Sequence, residues 1–521
     1  MQPEWLKFKK YPHIGEPLTS SKDCVWVEKY VTNPENIIKH KFTPLLHRVI
    51  TQRKYRPDED ATKNSSGKRI RVEKKPKIRH IYYPSHLDSI IYSYYNSVLS
   101  KAYEEYLHDK DYSSVAVAYR KIPKNDISEG NKCNIEFAAD AFQFIIENKH
   151  RKLSVIVADI TSFFDNLDHR LLHRQWKKVM GVDDLPMDHY KIYKNLVDYK
   201  YVNEVELFNR FNHKLIVERY KPNDTSCKVL KRKYVSKSYH MRHENVVAYC
   251  SKNEFFNEAL DLIRVDKPYN SLIRKEQGKP EKKGIPQGTP ISATLANIYM
   301  LDFDAKIYDE VSKKHAYYQR YSDDIIIVCD QEDETFFYNL LRSEIEEKAY
   351  LEIQTSKTNI YRYVIGDDNT LVGGIVKDSF VNLNKQLEYL GFNFDGKKVR
   401  VKTSGFSKFY RNMKHSFKRG IYFAKQAHIP SNSLFEGRLY KRFTHIGAKR
   451  RLKWLPDVTS STGYRRTTIY DWGNFISYLN KANAVMKIIN QGNNIAKQYR
   501  KIWNKFHAIK KKAYEEIAGK K

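Results

Sequence analysis

Short apolar runs closed by polar turns set the pattern of the chain as far as Gly396. Leu153–Ala158 (LSVIVA) is continuous, brief and rich in β-branched residues, which predicts a buried strand ending at Asp159. Tyr317–Cys329 divides at Ser322-Asp323 into two short strands, and Leu387–Phe394 reads as a further strand closed by Asp395-Gly396. Ile78–Leu99 is largely aromatic and apolar, as in a strand followed by a helix. Pro290–Tyr308 predicts a helix with proline in its first turn. Beyond Gly396 the pattern turns basic and helical. Phe475, Leu479, Ala482, Met486 and Ile489 share one helical face, Ile495, Tyr499, Ile502, Phe506 and Ile509 another, and Gly492-Asn493-Asn494 parts them, which predicts an antiparallel helical pair. Two polar, basic stretches interrupt these elements. Lys54–Pro76, centred on Asn64-Ser65-Ser66-Gly67, reads as an exposed loop or hairpin tip. Tyr199–Cys250, with Lys228, Lys231, Arg232 and Lys233 close together, reads as an insertion or subdomain.

Composition narrows the class. With 521 residues, 41% hydrophobic and 30% charged, the chain is long enough for two or more globular domains. Lys plus Arg outnumber Asp plus Glu by 93 to 61, a net charge of +32. Such a field favours polyanions, and nucleic acid is the first candidate partner because each neutralised phosphate releases a counterion; a basic surface serving solubility is the plainer alternative. The 39 tyrosines and 25 phenylalanines suit base stacking as well as core filling. The five cysteines are scattered and form no Cys-x-x-Cys pair, which argues against structural zinc and disulfides and fits a reducing cytoplasm. Met1–Gly15 lacks the apolar run of a signal peptide, and no stretch reaches the ~20 apolar residues of a membrane span.

Four local patterns then carry chemistry. Asp159-Ile160-Thr161-Ser162-Phe163-Phe164-Asp165 follows the buried strand. Gly284-Ile285-Pro286-Gln287-Gly288-Thr289-Pro290-Ile291-Ser292 opens a helix containing Asn297. Tyr321-Ser322-Asp323-Asp324 joins two strands. Lys357 follows an apolar segment and precedes Leu390-Gly391-Phe392. Singly, each has an ordinary explanation: turn chemistry, a loop breaker, a helix cap. Their order fits one reaction, attack of a 3′-hydroxyl on the innermost phosphate of a nucleoside triphosphate. Two magnesium ions, ~3.5–4 Å apart, clamp the attacking and leaving oxygens of such a step, and magnesium takes one or two carboxylates together with substrate phosphates. Asp159 on one strand and Asp323 on a neighbouring hairpin meet in this reading, with Asp324 beside them.

The set resembles the palm of reverse transcriptases, whose hairpin reads Tyr-x-Asp-Asp, over roughly 54–394, with thumb similarity beyond. The resemblance implies an α+β right-hand polymerase: N-terminal extension and fingers over 1–150, palm over 151–395 with the basic insertion at 199–250, and a helical thumb and C-terminal basic region over 396–521. It assigns Asp159, Asp323 and Asp324 as catalytic carboxylates holding two Mg2+, with the backbone of Ile160 touching metal and triphosphate. Gln287 and Gly288 match the loop that packs on the incoming nucleotide and template. Lys357 matches a lysine near the triphosphate, a candidate general acid for pyrophosphate. Leu390-Gly391-Phe392 resembles the primer grip, and Lys77 and Arg79 the finger strand. Tyr119-Arg120-Lys121 resembles the segment whose basic side chain holds the triphosphate; Arg120 suits phosphate by its rigid fork, and a plain surface arginine is the alternative. Phe164 falls where these enzymes place an aromatic gate against the ribose 2′-hydroxyl; a core phenylalanine is the alternative.

Within the family the palm is most similar to bacterial group II intron, retron and unassigned, defence-associated enzymes. No His/Cys endonuclease cluster, Val-Thr-Gly triplet, Ser-Gln variant, ribonuclease H or integrase carboxylate set is visible. What remains resembles the abortive-infection-like group. That implies RNA-directed DNA synthesis from deoxynucleotides in a cytoplasmic antiphage role, a template or non-coding RNA, a DNA product and frequent homo-oligomers. Some relatives start from a protein hydroxyl or make repetitive or untemplated DNA. A group II intron-like maturase, an RNA-binding splicing cofactor, is the alternative. The 199–250 insertion, with Tyr234, Tyr239 and His240, reads either as a holder of structured RNA or as a solvated loop. The tail from Gly405 reads as thumb, RNA platform or oligomer surface.

Overall fold

The computed structural model describes residues 3–57, 71–124, 130–221, 224–265, 283–366, 369–377, 380–426, 434–449, 452–456, 463–470, 473–490 and 492–519. Contacts gather them into two compact units that interleave along the chain. One comprises Met1–Tyr119, Ile160–Lys306 and Arg342–Glu352; the other comprises Arg120–Asp159, Ile307–Leu341 and Ile353–Lys521.

The second unit is built on a six-stranded antiparallel sheet. Its strands are β1 (Leu153–Asp159), β2 (Tyr317–Tyr321), β3 (Asp324–Asp330), β4 (Asn359–Ile365), β5 (Leu371–Lys377) and β6 (Phe380–Asn382), in the spatial order β6-β5-β4-β1-β3-β2. The near-continuous apolar runs of β1 and β3 have a physical reason. Val155, Ile326 and Val328 face a core shared with the helix Asn134–Glu147, and Ile156, Ala158, Ile325 and Ile327 on the opposite face are buried too, as expected of strands covered on both sides. Beside this sheet stand β7 (Leu387–Tyr389), β8 (Phe392–Phe394) and β9 (Val399–Val401). The predicted single strand Leu387–Phe394 is therefore two. Leu390 and Gly391, at φ 43° and 90°, make the tight reversal between them, a geometry with positive φ at both central residues that suits the right-handed twist of the flanking strands.

Phe394 centres this core. It is fully buried, with its ring 4.9 Å from Phe142 and 5.7 Å from Tyr363. Phe394→Ala should cost about 3–5 kcal/mol of stability, read as a lowered midpoint in urea unfolding; a change below about 1 kcal/mol would mean that the site collapses around the void.

The C-terminal region is less purely helical than its sequence predicts. The helices Thr403–Ala424, Glu436–Phe443, Phe475–Val485, Asn494–Tyr499 and Ile502–Ala518 are interrupted by an antiparallel pair, Leu452–Pro456 with Tyr464–Tyr470. The residues of the two predicted apolar faces do enter the core, but Ile502–Ala518 packs on Thr403–Ala424, with Phe506 and Phe417 at 5.2 Å. The expected pairing holds between Phe475–Val485 and Asn494–Tyr499, where the Tyr499 hydroxyl donates to Asn480 Oδ1 at 2.6 Å, but the second helix breaks after Tyr499 and its continuation joins the earlier helix in a bundle.

In the first unit, Arg71–Tyr83 pairs with Leu45–Pro57, which also takes Tyr201–Asn203 in parallel. The arms of the predicted loop Lys54–Pro76 are thus strand, and its tip, 58–70, lies outside the described residues. The basic stretch 199–250 is a folded subdomain. Leu215–Lys221, Asp224–Lys233 and Val246–Cys250 form a sheet completed by His13–Ile14, over a core of Leu207, Phe211, Leu215, Tyr249 and Phe255. The predicted helix Pro290–Tyr308 begins at Ser292, stops at Tyr299 and resumes as Leu301–Lys313. Among the described residues no helix is long and apolar enough to cross a membrane, and Cys24, Cys133, Cys250 and Cys329 are free thiols.

Candidate active site

Asp159 ends β1, Asp324 begins β3, and the antiparallel register sets them directly opposite each other. Such cross-strand partners lie on one face with Cβ atoms about 4.5–5.5 Å apart. Tyr321 pairs with Asp324, which leaves Ser322-Asp323 as a two-residue turn. Ser322 sits at φ 61°, the left-handed value that a type II′ hairpin needs at its first central position. The turn is held from beneath: Arg320, fully buried on β2, donates from Nη1 to the Ser322 carbonyl at 3.1 Å. The register makes Asp324 the residue facing Asp159, and Asp323 rides on the turn beside it; the length of the turn, two residues, decides this.

Both neighbouring carboxylates act on Asp324. Burial, then the neighbouring Asp323 and Asp159, push the Asp324 carboxyl up to about 6, and Lys357 and Lys402 oppose the rise. Lys357 arrives on a short helical turn, Thr355–Lys357, hooked to β1 where the Gln354 N–H donates to the Asp159 carbonyl at 2.8 Å. Its Nζ donates to Asp159 Oδ1 at 2.7 Å. Lys402 follows β9; its N–H donates to the Gly391 carbonyl at 2.9 Å and its ammonium pairs with Glu388. Lys402 and Arg320 escaped sequence reading. Neither belongs to a motif, and only the path of the chain after β9 and the burial of β2 bring them to this hairpin.

The donor chemistry fits a hard cation. Magnesium takes oxygen ligands and binds through one or two carboxylates plus waters and phosphates, and Asp159 and Asp324 supply such a pair where negative charge is crowded. Among the described residues no three His, Cys, Asp or Glu side chains converge as a ready-made metal cage, and Lys357 holds one Asp159 oxygen. Asp159 and Asp324 would hold such an ion together with waters or phosphate oxygens.

The remaining predicted residues divide between the units. Arg120, in the second, lies half-buried just after Tyr119, which has φ 63°. In the first unit Ile160 is buried. Phe163, 4% exposed, fills the core, while Phe164 is half-buried, so the core role falls to Phe163. The Phe164 carbonyl accepts the Ile285 N–H at 3.0 Å, and the Gln287 carbonyl accepts the Tyr82 N–H at 2.8 Å. The structure thus joins the Phe164 segment, the Pro-Gln-Gly loop and the strand Arg71–Tyr83. Gly288 has φ 124°, and a Cβ there would stand 2.6 Å from the Tyr82 carbonyl oxygen. Asn297 donates to the Ala118 carbonyl at 2.8 Å, which gives that residue a structural role.

An antiparallel sheet flanked by helices, with paired carboxylates at a hairpin on its central strands, is the palm of a right-hand polymerase. Residues 250–394 match the family described as reverse transcriptase (RNA-dependent DNA polymerase). The matched span holds Gln287, Gly288, Asp323, Asp324 and Lys357 and leaves Asp159 upstream. Over that span the chain is similar to RNA-directed DNA polymerases. No curated protein sequence matches it. Among solved structures, apo telomerase from Candida tropicalis, truncated from its C-terminal domain, is similar over 76% of this chain and 64% of its own, at 11% identity and TM-score 0.36. Telomerase from Candida albicans in complex with a TWJ fragment of telomeric RNA is similar over 94% of this chain and 65% of its own, at 14% identity and TM-score 0.35. The chain spans less than two thirds of the length of either.

Proposed function

We propose that this chain is a reverse transcriptase that adds deoxynucleotides to a growing DNA end on an RNA template, in the cytoplasm of a bacterial cell, as part of an antiphage response. The observation that carries the polymerase reading is the register of Asp159 against Asp324, with Lys357 bonded to Asp159. Magnesium, when bound, supplies charge stabilisation to the attacking and leaving oxygens. Asp159 and Asp324 would hold it, Asp323 adds negative charge at the turn, and Lys357 stands ready to give a proton to the departing pyrophosphate. In this reading residues 1–150 act as extension and fingers, 151–395 as palm and 396–521 as thumb, with Arg120, Gln287 and Gly288 serving the nucleotide and Ile160 offering its backbone to metal and triphosphate. The antiphage assignment and the homo-oligomer that accompanies it are supported by the resemblance of the palm motifs to the abortive-infection-like group.

The activity is tested by extension of a DNA primer on an RNA template with deoxynucleotides and magnesium. Synthesis that a chelator stops is expected; a purified, folded chain that extends no primer and makes no untemplated DNA would overturn the reading. Sequencing the RNA and DNA that copurify from the host identifies template and product. Phages plating equally well with and without the gene would remove the defence role.

Phe164 tests sugar selection. With the neighbouring Phe163 filling the core, the Phe164 ring is free to serve as a gate against a 2′-hydroxyl. Phe164→Ala is expected to raise ribonucleotide incorporation relative to deoxynucleotide by about tenfold or more, the scale of one steric contact in a snug pocket. An unchanged ratio in a competition assay removes the gate.

A further inference from the structure

The basic C-terminal helices carry a cavity that the polymerase reading leaves unused. It encloses about 940 Å³ between Thr403–Ala424 and the segment Leu434–Arg442, and shares no residue with the carboxylate site. Binding sites for small organic ligands span ~300–1,000 Å³, so the space admits a nucleotide with room for a neighbour.

Its lining is mainly basic. Arg419, Arg438 and Arg442 border it, and none of the three has a carboxylate partner among the described residues. The acid at its edge, Glu436, is already engaged: its carboxylate accepts from Lys510 at 2.7 Å and from Tyr514 at 2.6 Å. Unpaired guanidinium groups around a concave surface are the chemistry that receives phosphate.

Two aromatic rings complete the lining. The Arg419 guanidinium lies 5.6 Å over the Phe423 ring, an arrangement that leaves a flat cationic and aromatic surface. Phe435 is 53% exposed and has φ 52°. A bulky L-residue in the left-handed region is an outlier, and a large apolar ring turned to solvent gains nothing from burial to offset that strain. Strain of this kind concentrates at ligand-holding positions. The ring lines the cavity and is half open to solvent, which leaves it a face on which a base can stack.

We propose that this cavity binds a nucleobase of a single-stranded nucleic acid, stacked on Phe435 and Phe423, with its flanking phosphates on Arg419, Arg438 and Arg442. It is a second nucleic-acid site, separate from the carboxylates, that holds a strand by one or two unstacked bases. A free nucleotide shares this chemistry, and the test separates the two sources.

The full chain is titrated with a short fluorescent oligouridine by anisotropy, without magnesium or triphosphates, so that the outcome is independent of catalysis. Phe435→Gly should weaken binding about tenfold, the scale of one lost base–aromatic stack, and should hold or raise the melting temperature because glycine tolerates the positive φ. A merely structural Phe435 would instead lower the melting temperature and leave affinity unchanged. Arg438→Ala with Arg442→Ala should flatten the slope of log affinity against log salt by roughly 1.4, two phosphate contacts on a single strand. Ultraviolet crosslinking of a thiouridine-bearing strand should label Phe423 or Phe435. Uridine monophosphate that competes over the same concentration range as the strand would make a free nucleotide the occupant. Unaltered affinity and salt slope in both variants, with crosslinks falling elsewhere, would overturn the proposal.

Discussion

Asp324→Asn is expected to abolish nucleotide addition without making the protein less stable. The substitution keeps the shape of the side chain and removes its charge. Asp324 faces Asp159 across the strand pair, with Asp323 next to it, and burial together with these neighbours already resists its ionisation. Like charges placed directly opposite on a sheet destabilise it, so neutralising one should leave the melting temperature the same or higher. Activity should fall by about 10³-fold or more, the order of loss that follows removal of a single group aimed at charge developing in a transition state. Asp159→Asn should lose activity to a similar extent, but it also releases the Lys357 ammonium bonded at 2.7 Å. The pair of measurements is primer extension and thermal melting. Near-parental extension by either variant would end the catalytic assignment, and a marked fall in melting temperature for Asp324→Asn would mean that the carboxylate serves the fold.

Gly288→Ala should be the most damaging change outside the carboxylates. Two independent effects coincide there. The backbone has φ 124°, and the added methyl would stand 2.6 Å from the Tyr82 carbonyl oxygen. That oxygen belongs to the strand whose Tyr82 N–H holds the Gln287 carbonyl at 2.8 Å, so neither partner can yield without breaking the bond that seats the loop. Strained backbone of this kind costs of order 1–3 kcal/mol, and overpacking adds about 1–3 kcal/mol more. The loop is expected to lift from the strand Arg71–Tyr83, lowering both stability and nucleotide affinity. Circular-dichroism melting and the KM for deoxynucleotide should both move. A variant that melts and polymerises like the parent would mean that the loop is not seated on this strand.

The elements most legible in the sequence were those whose patterns answer to local physics. Leu153–Ala158 reads as a buried strand because apolar, β-branched residues run without interruption, and the hairpin Tyr317–Cys329 shows itself by the polar pair at its turn. The misreadings share a cause as well. Leu387–Phe394 looks like one strand because Leu390 is apolar, yet it occupies a turn at φ 43°. Pro290–Tyr308 looks like one helix, but the chain stops at Tyr299 and starts again. Ile495–Ile509 looks like one helix paired with its sequence neighbour, but it breaks after Tyr499, and its second part packs on Thr403–Ala424.

By itself the sequence singled out the candidate residues, since acids at strand ends, a glycine at a turn and a lysine after a strand are choices made by local backbone demands. It also determined the basic field that selects a polyanion. Only the tertiary structure decided which carboxylate faces which. The two-residue turn fixes the register, and that register makes Asp324, rather than Asp323, the cross-strand partner of Asp159. It alone brought Lys402 and the buried Arg320 to the hairpin, and it alone showed that the stretch read as an insertion or subdomain is a three-stranded sheet completed by His13–Ile14. The physical reason is that charge, apolar period and turn chemistry are properties of neighbours in the chain, whereas register, burial and electrostatic crowding belong to residues that meet only once the chain has folded.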